Sequence, residues 1–201
     1  MKTDVLIVGG GPAGAATAMN LIKEGIRPTI LEAEEFPRYH IGESLTGAAG
    51  KSLRDLGLEA EMNSRDYPVK QGVKVYGQST RGTWFVPVTG RDENWNLFPW
   101  TTWQVRRSDF DKMLLDEAVK RGATLLQGKA LRPIIDGEVG GRPRVAGVQA
   151  RMADGGVQDI HAQVVVDCSG QATWLANMGG VAGPKYLGAY DKQIAFFSQL
   201  A

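Results

Sequence analysis

A short apolar run, a glycine-rich turn and a helix of small residues, followed by a second apolar run, predict an α/β fold built around a Rossmann-like sheet. Residues 5–8 are apolar at every position, as expected of a parallel strand that is buried on both faces. Residues 9–14 form the turn, and residues 15–24 have helical spacing that ends at Gly25. Residues 28–31 predict the next strand, which completes a β-α-β unit.

Two further helices are predicted from side chains that favour helix N-termini. Ser44 is expected to cap a helix that continues to about Leu56. Ser108 is expected to cap a second helix, whose apolar face begins at Phe110 and which ends at Gly122.

Most of the remaining chain predicts strands. Residues 69–88 alternate like a β-hairpin or meander, with a turn near residues 79–82. Residues 102–105 predict another strand, and residues 123–149 predict several strands broken by glycine and proline. Residues 164–166 predict a second buried parallel strand.

The C-terminal part of the sequence predicts a turn at residues 154–156 and a last strand at residues 194–200. A chain that stops on a strand leaves an open sheet edge. The sequence is therefore expected to be a fragment, truncated at its C-terminus.

Composition excludes several classes of protein. The 201 residues carry 23 basic and 22 acidic side chains, so no charge excess indicates a nucleic-acid or membrane-surface partner. No segment is long and apolar enough to span a bilayer. The single cysteine, Cys168, indicates a reducing cytoplasm, and two histidines argue against a histidine-based metal site.

The glycine-rich turn has the Gly-x-Gly-x-x-Gly spacing of a dinucleotide site. Gly9 permits the tight turn, Gly11 lets a pyrophosphate approach the backbone, and Gly14 lets the helix pack close to the strand. Glu32 ends the second strand, where a carboxylate binds ribose hydroxyls. The alternative is a glycine-rich turn with an incidental acidic residue.

Backbone N–H groups at the helix N-terminus complete this predicted site. They present partial positive charge to phosphates, and Gly10 and Ala13 add to that backbone. A carboxylate at Glu32 suits FAD or NAD and disfavours NADP, but the local motif does not separate FAD from NAD.

Three segments share one family's motifs at that family's spacing: FPRYHIGESL at residues 36–45, TWQVRRSDFDKMLLDEA at 102–118 and VVVDCSG at 164–170. They resemble flavin-dependent halogenases, particularly those acting on phenols and pyrroles, and their monooxygenase relatives. The resemblance implies FAD and a Rossmann-like FAD-binding domain of the glutathione-reductase and aromatic-hydroxylase type, with an interrupted substrate-side β-sheet. It places the discontinuous FAD-binding domain at residues 1–58, 102–133 and 160–180, and the substrate-facing sheet at 59–101 and 181–201.

The resemblance also assigns cofactor contacts in the first of these segments. Arg38 resembles an arginine near the FAD phosphates or ribityl chain, and Gly42, Glu43 and Ser44 resemble the loop against the isoalloxazine ring. A helix that starts at Ser44 would favour the negative charge of reduced flavin. Glu43 taken alone is equally explained as an acid at a helix start.

In the other two segments, Gln104 resembles a glutamine that contacts FAD from a neighbouring strand. Arg106 is a second contact there, or else an exposed charge or a partner for Asp109. Asp167 and Gly170 resemble the motif where a strand ends close to the cofactor.

Lys70, in the sequence YPVKQG, resembles the catalytic lysine of these halogenases. The resemblance implies that reduced FAD, O2 and chloride or bromide generate hypohalous acid, which this lysine delivers to an electron-rich aromatic or pyrrole. A separate flavin reductase would supply reduced FAD, and the substrate could be carrier-bound. Taken alone, Lys70 is better explained as a solvated lysine on a strand edge.

Four alternatives remain open: an aromatic hydroxylase, a flavin reductase of isoprenoid double bonds, a non-catalytic FAD-binding or assembly subunit, and an NAD dehydrogenase. The last leaves residues 36–45 unexplained. The family's W-x-W-x-I-P motif does not occur here and is expected beyond this sequence.

Overall fold

The computed structural model describes residues 1–76 and 82–178. In chain order the elements are β1 (Lys2–Val8), α1 (Pro12–Lys23), β2 (Thr29–Glu32), α2 (Gly47–Asp55), α3 (Glu59–Ser64), β3 (Val69–Lys70), β4 (Gly72–Tyr76), β5 (Thr83–Pro87), β6 (Thr89–Arg91), β7 (Leu97–Pro99), β8 (Thr102–Trp103), α4 (Arg107–Arg121), β9 (Thr124–Val139), β10 (Arg142–Met152), β11 (Val157–Asp167) and α5 (Trp174–Asn177). Within these ranges no helix is both long and apolar enough to cross a membrane.

The central sheet is a closed ring of five strands in the order β1-β11-β10-β9-β2. β1 is parallel to β2 and to β11, and β2 is parallel to the start of β9. β10 is antiparallel to both β9 and β11. β9 and β11 therefore each pair with one parallel neighbour and, on the other side, with the antiparallel strand β10. The predicted α/β fold is confirmed.

Alternate side chains of β1 enter two different cores. Val5 and Ile7 pack with the helices, whereas Leu6 and Val8 pack against the antiparallel strands. Both faces of the strand are buried, which explains why residues 5–8 are apolar throughout.

The predicted cap of α2 is wrong by two residues. Thr46, not Ser44, caps the helix, and its hydroxyl accepts a hydrogen bond from the Ala49 N–H at 3.2 Å. Residues 43–45 cannot start the helix because they pair in extended conformation with residues 103–105, and Ser44 forms a β-bridge with Gln104. The expectation that a helix dipole begins at Ser44 is therefore also wrong.

The start of α4 is corrected in the same way. Arg106 occupies the N-cap position and its carbonyl accepts the Phe110 N–H at 2.9 Å, so Ser108 lies inside the first turn. The predicted end at Gly122, with φ 120°, is confirmed.

Residues 123–149 were expected to form several short strands, but the structure has two long strands there. β9 and most of β10 span this region, and register shifts in their pairing accommodate irregularities that were expected to break the strands. The turn at residues 154–156 is confirmed, because the Gly156 N–H donates to Asp154 Oδ1 at 2.8 Å. The strand expected at residues 194–200 lies outside the described residues.

Residues 59–101 begin with a helix, α3, before any strand. The predicted hairpin is confirmed by β4 and β5, which pair from Gly72 with Pro87 to Tyr76 with Thr83, although most of its turn lies outside the described residues. β3 pairs with β8, and β6 pairs with β7. This part of the chain thus consists of small two-stranded sheets.

Replacing Thr46 with alanine is expected to lower the free energy of unfolding by about 1 kcal/mol, because the first turn of α2 loses its side-chain cap. Urea denaturation measures the change, and Thr46→Ser should retain most of the stability. An equal loss in Ser44→Ala and none in Thr46→Ala would contradict the assigned cap.

Candidate functional site

The glycine-rich loop between β1 and α1 makes backbone contacts that leave no room for a side chain at Gly9 or Gly14. A Cβ on Gly9, whose φ is +103°, would lie 2.4 Å from the Cys168 carbonyl oxygen. A Cβ on Gly14 would lie 1.9 Å from the Gly9 carbonyl oxygen. Gly11 is the N-cap of α1 and Pro12 its first residue, with no side-chain cap on the first turn. Ala13 lies in that turn, so the loop presents free backbone N–H groups to an anion.

Glu32 is almost fully buried and holds this loop in place. Its Oε2 accepts a hydrogen bond from the Gly10 N–H at 2.5 Å, and its Oε1 accepts one from the Glu34 N–H at 2.8 Å. The carboxylate therefore has a structural role that the motif did not predict, whereas its contact with a ribose stays a prediction.

Arg38 extends from the loop after β2 to the glycine-rich loop. A Cβ on Gly11 would lie 3.5 Å from Arg38 Nη2, and the guanidinium carbon lies 4.7 Å from the centre of the Phe36 ring. Its Nε is 3.0 Å from a Glu34 carboxylate oxygen but is buried without a well-oriented hydrogen bond. This cation is placed where a phosphate at the α1 N-terminus would meet it.

Asp111, which the sequence did not single out, connects Arg38 with the next loop. Its side chain is fully buried and accepts two hydrogen bonds from Arg107, at 2.7 and 2.9 Å. Arg38 Nη2 lies 3.8 Å from the same carboxylate, and Arg107 also donates to the Ile41 carbonyl. The four-residue spacing of arginine and aspartate on a helix was the only available signal.

The Arg107 guanidinium also explains the glycine at the start of the predicted flavin loop. Gly42 has φ +104°, and a Cβ there would lie 2.9 Å from Arg107 Nη1. Its N–H donates to Glu43 Oε2 at 3.0 Å. A side chain at position 42 would therefore displace the arginine that holds the loop.

Three short segments form a small extended patch around residues 102–105. On one side the Val105 N–H donates to the Glu43 carbonyl at 2.8 Å, and on the other the Gln104 N–H donates to the Pro68 carbonyl at 2.9 Å. Lys70 pairs with Thr102 in the β3–β8 ladder. The patch thus brings together the predicted residues Ser44, Gln104 and Lys70, which lie far apart in the sequence.

The Lys70 amine reaches from β3 to the predicted flavin loop. Its Nζ donates to Ser44 Oγ and to the Leu45 carbonyl oxygen, both at 2.8 Å. The side chain is half-buried. Lys70 is therefore a partnered lysine in the structure, and its catalytic role stays a prediction.

An open cavity of about 810 Å³ lies next to this patch. Three of its lining residues are predicted cofactor contacts: Glu43, Gln104 and Arg106. The rest of its lining includes Tyr39, His40, Arg65, Tyr67 and Asp109.

Asp109 is paired in this cavity with two residues for which the sequence predicted no role. It accepts hydrogen bonds from Arg65, at 2.5 Å, and from the Tyr67 hydroxyl. Burial disfavours its ionised form, but these two bonds outweigh that effect and lower its pKa. Burial, together with the Asp109 contact, raises the pKa of Tyr67. Arg106, the partner of Asp109 in one interpretation of the sequence, is exposed.

The motif at the end of β11 lies against the glycine-rich loop. The Cys168 N–H donates to the Val8 carbonyl at 2.8 Å. Asp167 accepts hydrogen bonds from the Ser169 N–H at 3.0 Å and the Leu175 N–H at 2.8 Å, and Gly170, with φ +61°, begins a turn of 3₁₀-helix. Partial burial raises the pKa of the Cys168 thiol, which fits a small packing residue better than a nucleophile.

The predicted site residues thus form two groups. The glycine-rich loop, Glu32 and Asp167 lie where parallel strands β1, β2 and β11 end, at one edge of the sheet. The extended patch with Lys70 is the second group. Arg38, Asp111 and Arg107 connect the two across α4.

Comparison with known proteins identifies the family of the chain. The sequence matches the FAD binding domain family over residues 2–191. It is 40% identical over 197 residues to a 1H-pyrrole-2-carbonyl-(peptidyl-carrier protein) brominase of Pseudoalteromonas luteoviolacea, covering 97% of this chain and 44% of that protein. It is 34% identical over 182 residues to a tryptophan 2-halogenase of Chondromyces crocatus, covering 87% of this chain and 31% of that protein.

The solved structures that resemble the chain include a flavin-dependent brominase and a flavin-dependent halogenase. The flavin-dependent brominase Bmp2 superimposes with a TM-score of 0.77 and 39% identity, over 89% of this chain and 41% of that one. The flavin-dependent halogenase CmlS does so with a TM-score of 0.73 and 30% identity, over 88% and 31%. The chain therefore spans less than half the length of these relatives. It belongs to the FAD binding domain family, and its relatives there are flavin-dependent halogenases.

Proposed function

We propose that this chain provides the FAD site and the relay lysine of a flavin-dependent halogenase. The observation that carries the proposal is the position of Lys70, whose amine contacts Ser44 and Leu45 in the predicted flavin loop. The relatives at 34–40% identity, a brominase and a halogenase by name, support the same interpretation.

The residues present fit FAD. The uncapped N-terminus of α1 and the close backbone approach at Gly9 and Gly14 suit a pyrophosphate, and Arg38 adds a cation beside Gly11. We propose that Glu32 binds the ribose and that Asp167 and Gly170 lie along the cofactor. The flavin ring would then face Gly42, Glu43, Ser44, Gln104 and Arg106.

When bound and reduced, FAD would supply the electrons with which O2 and chloride or bromide yield hypohalous acid. The part of this chain in that chemistry is to hold the Lys70 amine beside the flavin loop, where it binds hypohalous acid by hydrogen bonding and directs it to the substrate. The chain has a single dinucleotide motif, so we propose that a separate flavin reductase supplies reduced FAD.

The substrate class is an electron-rich aromatic or pyrrole. One relative is named for a pyrrole-2-carbonyl group on a peptidyl-carrier protein, so a carrier-bound pyrrole is the first substrate to test. We further propose that residues 134–159 join the FAD-binding segments 1–58, 102–133 and 160–180, because β10 pairs with both β9 and β11. Residues 59–101 would face the substrate.

The test uses the full-length protein with reduced FAD, O2, bromide and a panel of phenols and pyrroles, including pyrrole-2-carbonyl peptidyl-carrier protein. Mass spectrometry should find products with the isotope doublet of bromine. Products that gain only oxygen would make the protein an aromatic hydroxylase and overturn the proposal.

Replacing Lys70 with alanine is expected to lower brominated product about tenfold or more, because undirected hypohalous acid reacts poorly with the bound substrate. The FAD dissociation constant should not change. Lys74→Ala is the matched control, since Lys74 is exposed on the adjacent strand β4. Equal product from Lys70→Ala and the parent protein would return Lys70 to the surface-lysine interpretation.

A further inference from the structure

The Lys70 amine is held by two acceptors from one neighbouring segment. Ser44 Oγ and the Leu45 carbonyl oxygen each accept a hydrogen bond at 2.8 Å. A lysine ammonium has three N–H donors, so one donor direction remains for another partner. A lysine side chain that is not held in this way samples many rotamers.

The acceptors are themselves fixed by a buried strand. Trp103 is 2% exposed, and its carbonyl accepts a hydrogen bond from the Leu45 N–H at 3.2 Å. On the opposite side Val69 pairs with the same tryptophan, and Lys70 pairs with Thr102. Ser44 and Lys70 therefore flank one anchored strand, and the lysine side chain reaches across it.

We propose that Ser44 is a positioning residue for Lys70, and this inference rests on the proposed function. The resemblance assigns Ser44 to the flavin, whereas its hydroxyl in the structure accepts a hydrogen bond from the lysine. Together with the Leu45 carbonyl, it fixes the amine at the flavin loop. An amine fixed in this place would bind hypohalous acid and limit its escape into solution.

Without the Ser44 hydroxyl, the Lys70 amine keeps only the Leu45 carbonyl oxygen as an acceptor. The side chain then has more freedom to rotate into solvent, while the backbone pairing of residues 43–45 with 103–105 remains. We therefore expect Ser44→Ala to lower halogenated product about tenfold. Ser44→Thr, which keeps a hydroxyl, should recover most of it.

The experiment compares Ser44→Ala, Ser44→Thr and Lys70→Ala in the full-length protein. Hypohalous acid that escapes is captured by a soluble scavenger, and its ratio to substrate product is expected to rise in Ser44→Ala. A second measurement needs no FAD: amine-reactive labelling of Lys70, relative to Lys74, should become faster in Ser44→Ala. Ser52→Ala, at an exposed serine on α2, is the matched control for both measurements.

The outcomes separate this inference from the proposed function. If Lys70→Ala loses product but Ser44→Ala changes neither product nor labelling, Lys70 acts without Ser44 and only the inference is overturned. If Ser44→Ala loses much of its FAD affinity while the labelling rate of Lys70 is unchanged, Ser44 is a flavin contact. That result also overturns the inference. Full product from Lys70→Ala overturns both the proposed function and the inference that Ser44 positions a catalytic lysine. The labelling rate then reports only whether the Ser44 hydroxyl holds the Lys70 amine.

Discussion

Replacing Asp111 with asparagine is expected to lower the free energy of unfolding by about 3 kcal/mol, because it breaks a buried ion pair from one side. The carboxylate is fully buried and accepts two hydrogen bonds from the Arg107 guanidinium, with Arg38 3.8 Å away. Asparagine keeps the shape but leaves two largely buried cations without their shared negative charge. Urea denaturation measures this loss.

Asp116→Asn is the matched control for this prediction. Asp116 lies on the same helix and pairs with Lys112 at 2.6 Å, but its side chain is 62% exposed. Exposed pairs of this kind contribute about 0.5 kcal/mol or less. A loss below about 1 kcal/mol in Asp111→Asn would mean that solvent already compensates the two arginines.

FAD affinity provides an independent measurement on the same variant. Asp111 orients Arg107, which donates to the Ile41 carbonyl, and lies close to Arg38 beside the glycine-rich loop. We expect the FAD dissociation constant to rise about tenfold even under conditions where the variant is folded. The double variant Arg107→Met/Asp111→Leu should regain only part of the stability, because an apolar pair replaces the Arg107–Asp111 ion pair while Arg38 stays without the carboxylate, and it should not regain FAD affinity.

The β-α-β unit was predictable because every signal for it is local. The turn requires glycine at position 14 for a contact within a few residues, the 1.9 Å approach of a Gly14 Cβ to the Gly9 oxygen, and at position 9 for a positive φ as well as for the contact with Cys168. The apolar run of residues 5–8 reflects burial on two faces, which any parallel strand between layers experiences. Local sequence therefore determines this part of the fold.

The N-cap of α2 and the bonding of Lys70 were not predictable, because distant residues decide them. Ser44 and Thr46 are both good N-caps. The choice depends on pairing of residues 43–45 with residues 103–105, which holds Ser44 in extended conformation. The same pairing brings Ser44 within hydrogen-bond distance of Lys70.

Buried charge was the other feature that the sequence did not reveal. Arg107 and Asp111 look like any exposed pair one helical turn apart, similar to Lys112 and Asp116 on the same helix. Burial distinguishes them, because the Asp111 side chain is fully buried beside Arg38 whereas the Asp116 side chain is 62% exposed. Likewise, the role of Glu32 in holding Gly10 depends on the fold of the loop and not on the motif spacing.

Replacing Gly14 with alanine is expected to weaken FAD binding about 10- to 100-fold. The new Cβ would lie 1.9 Å from the Gly9 carbonyl oxygen and 3.3 Å from Ile7 Cγ2, so α1 must move away from the loop. Overpacking of this kind also costs about 1–3 kcal/mol in stability. Flavin fluorescence titration measures the affinity, and urea denaturation measures the stability.

Gly25→Ala provides the control at the other end of the same helix. Gly25 has φ +81°, and no atom lies within 4 Å of the position that a Cβ would take, so its substitution adds backbone strain of about 1 kcal/mol without a clash. Both variants are therefore expected to lose stability, but only Gly14→Ala should displace the N-terminus of α1 from the glycine-rich loop. If Gly14→Ala weakened FAD binding no more than Gly25→Ala, the approach of the α1 N-terminus to the loop would not determine affinity. A selective loss in Gly14→Ala would instead place the cofactor phosphates at the first turn of α1.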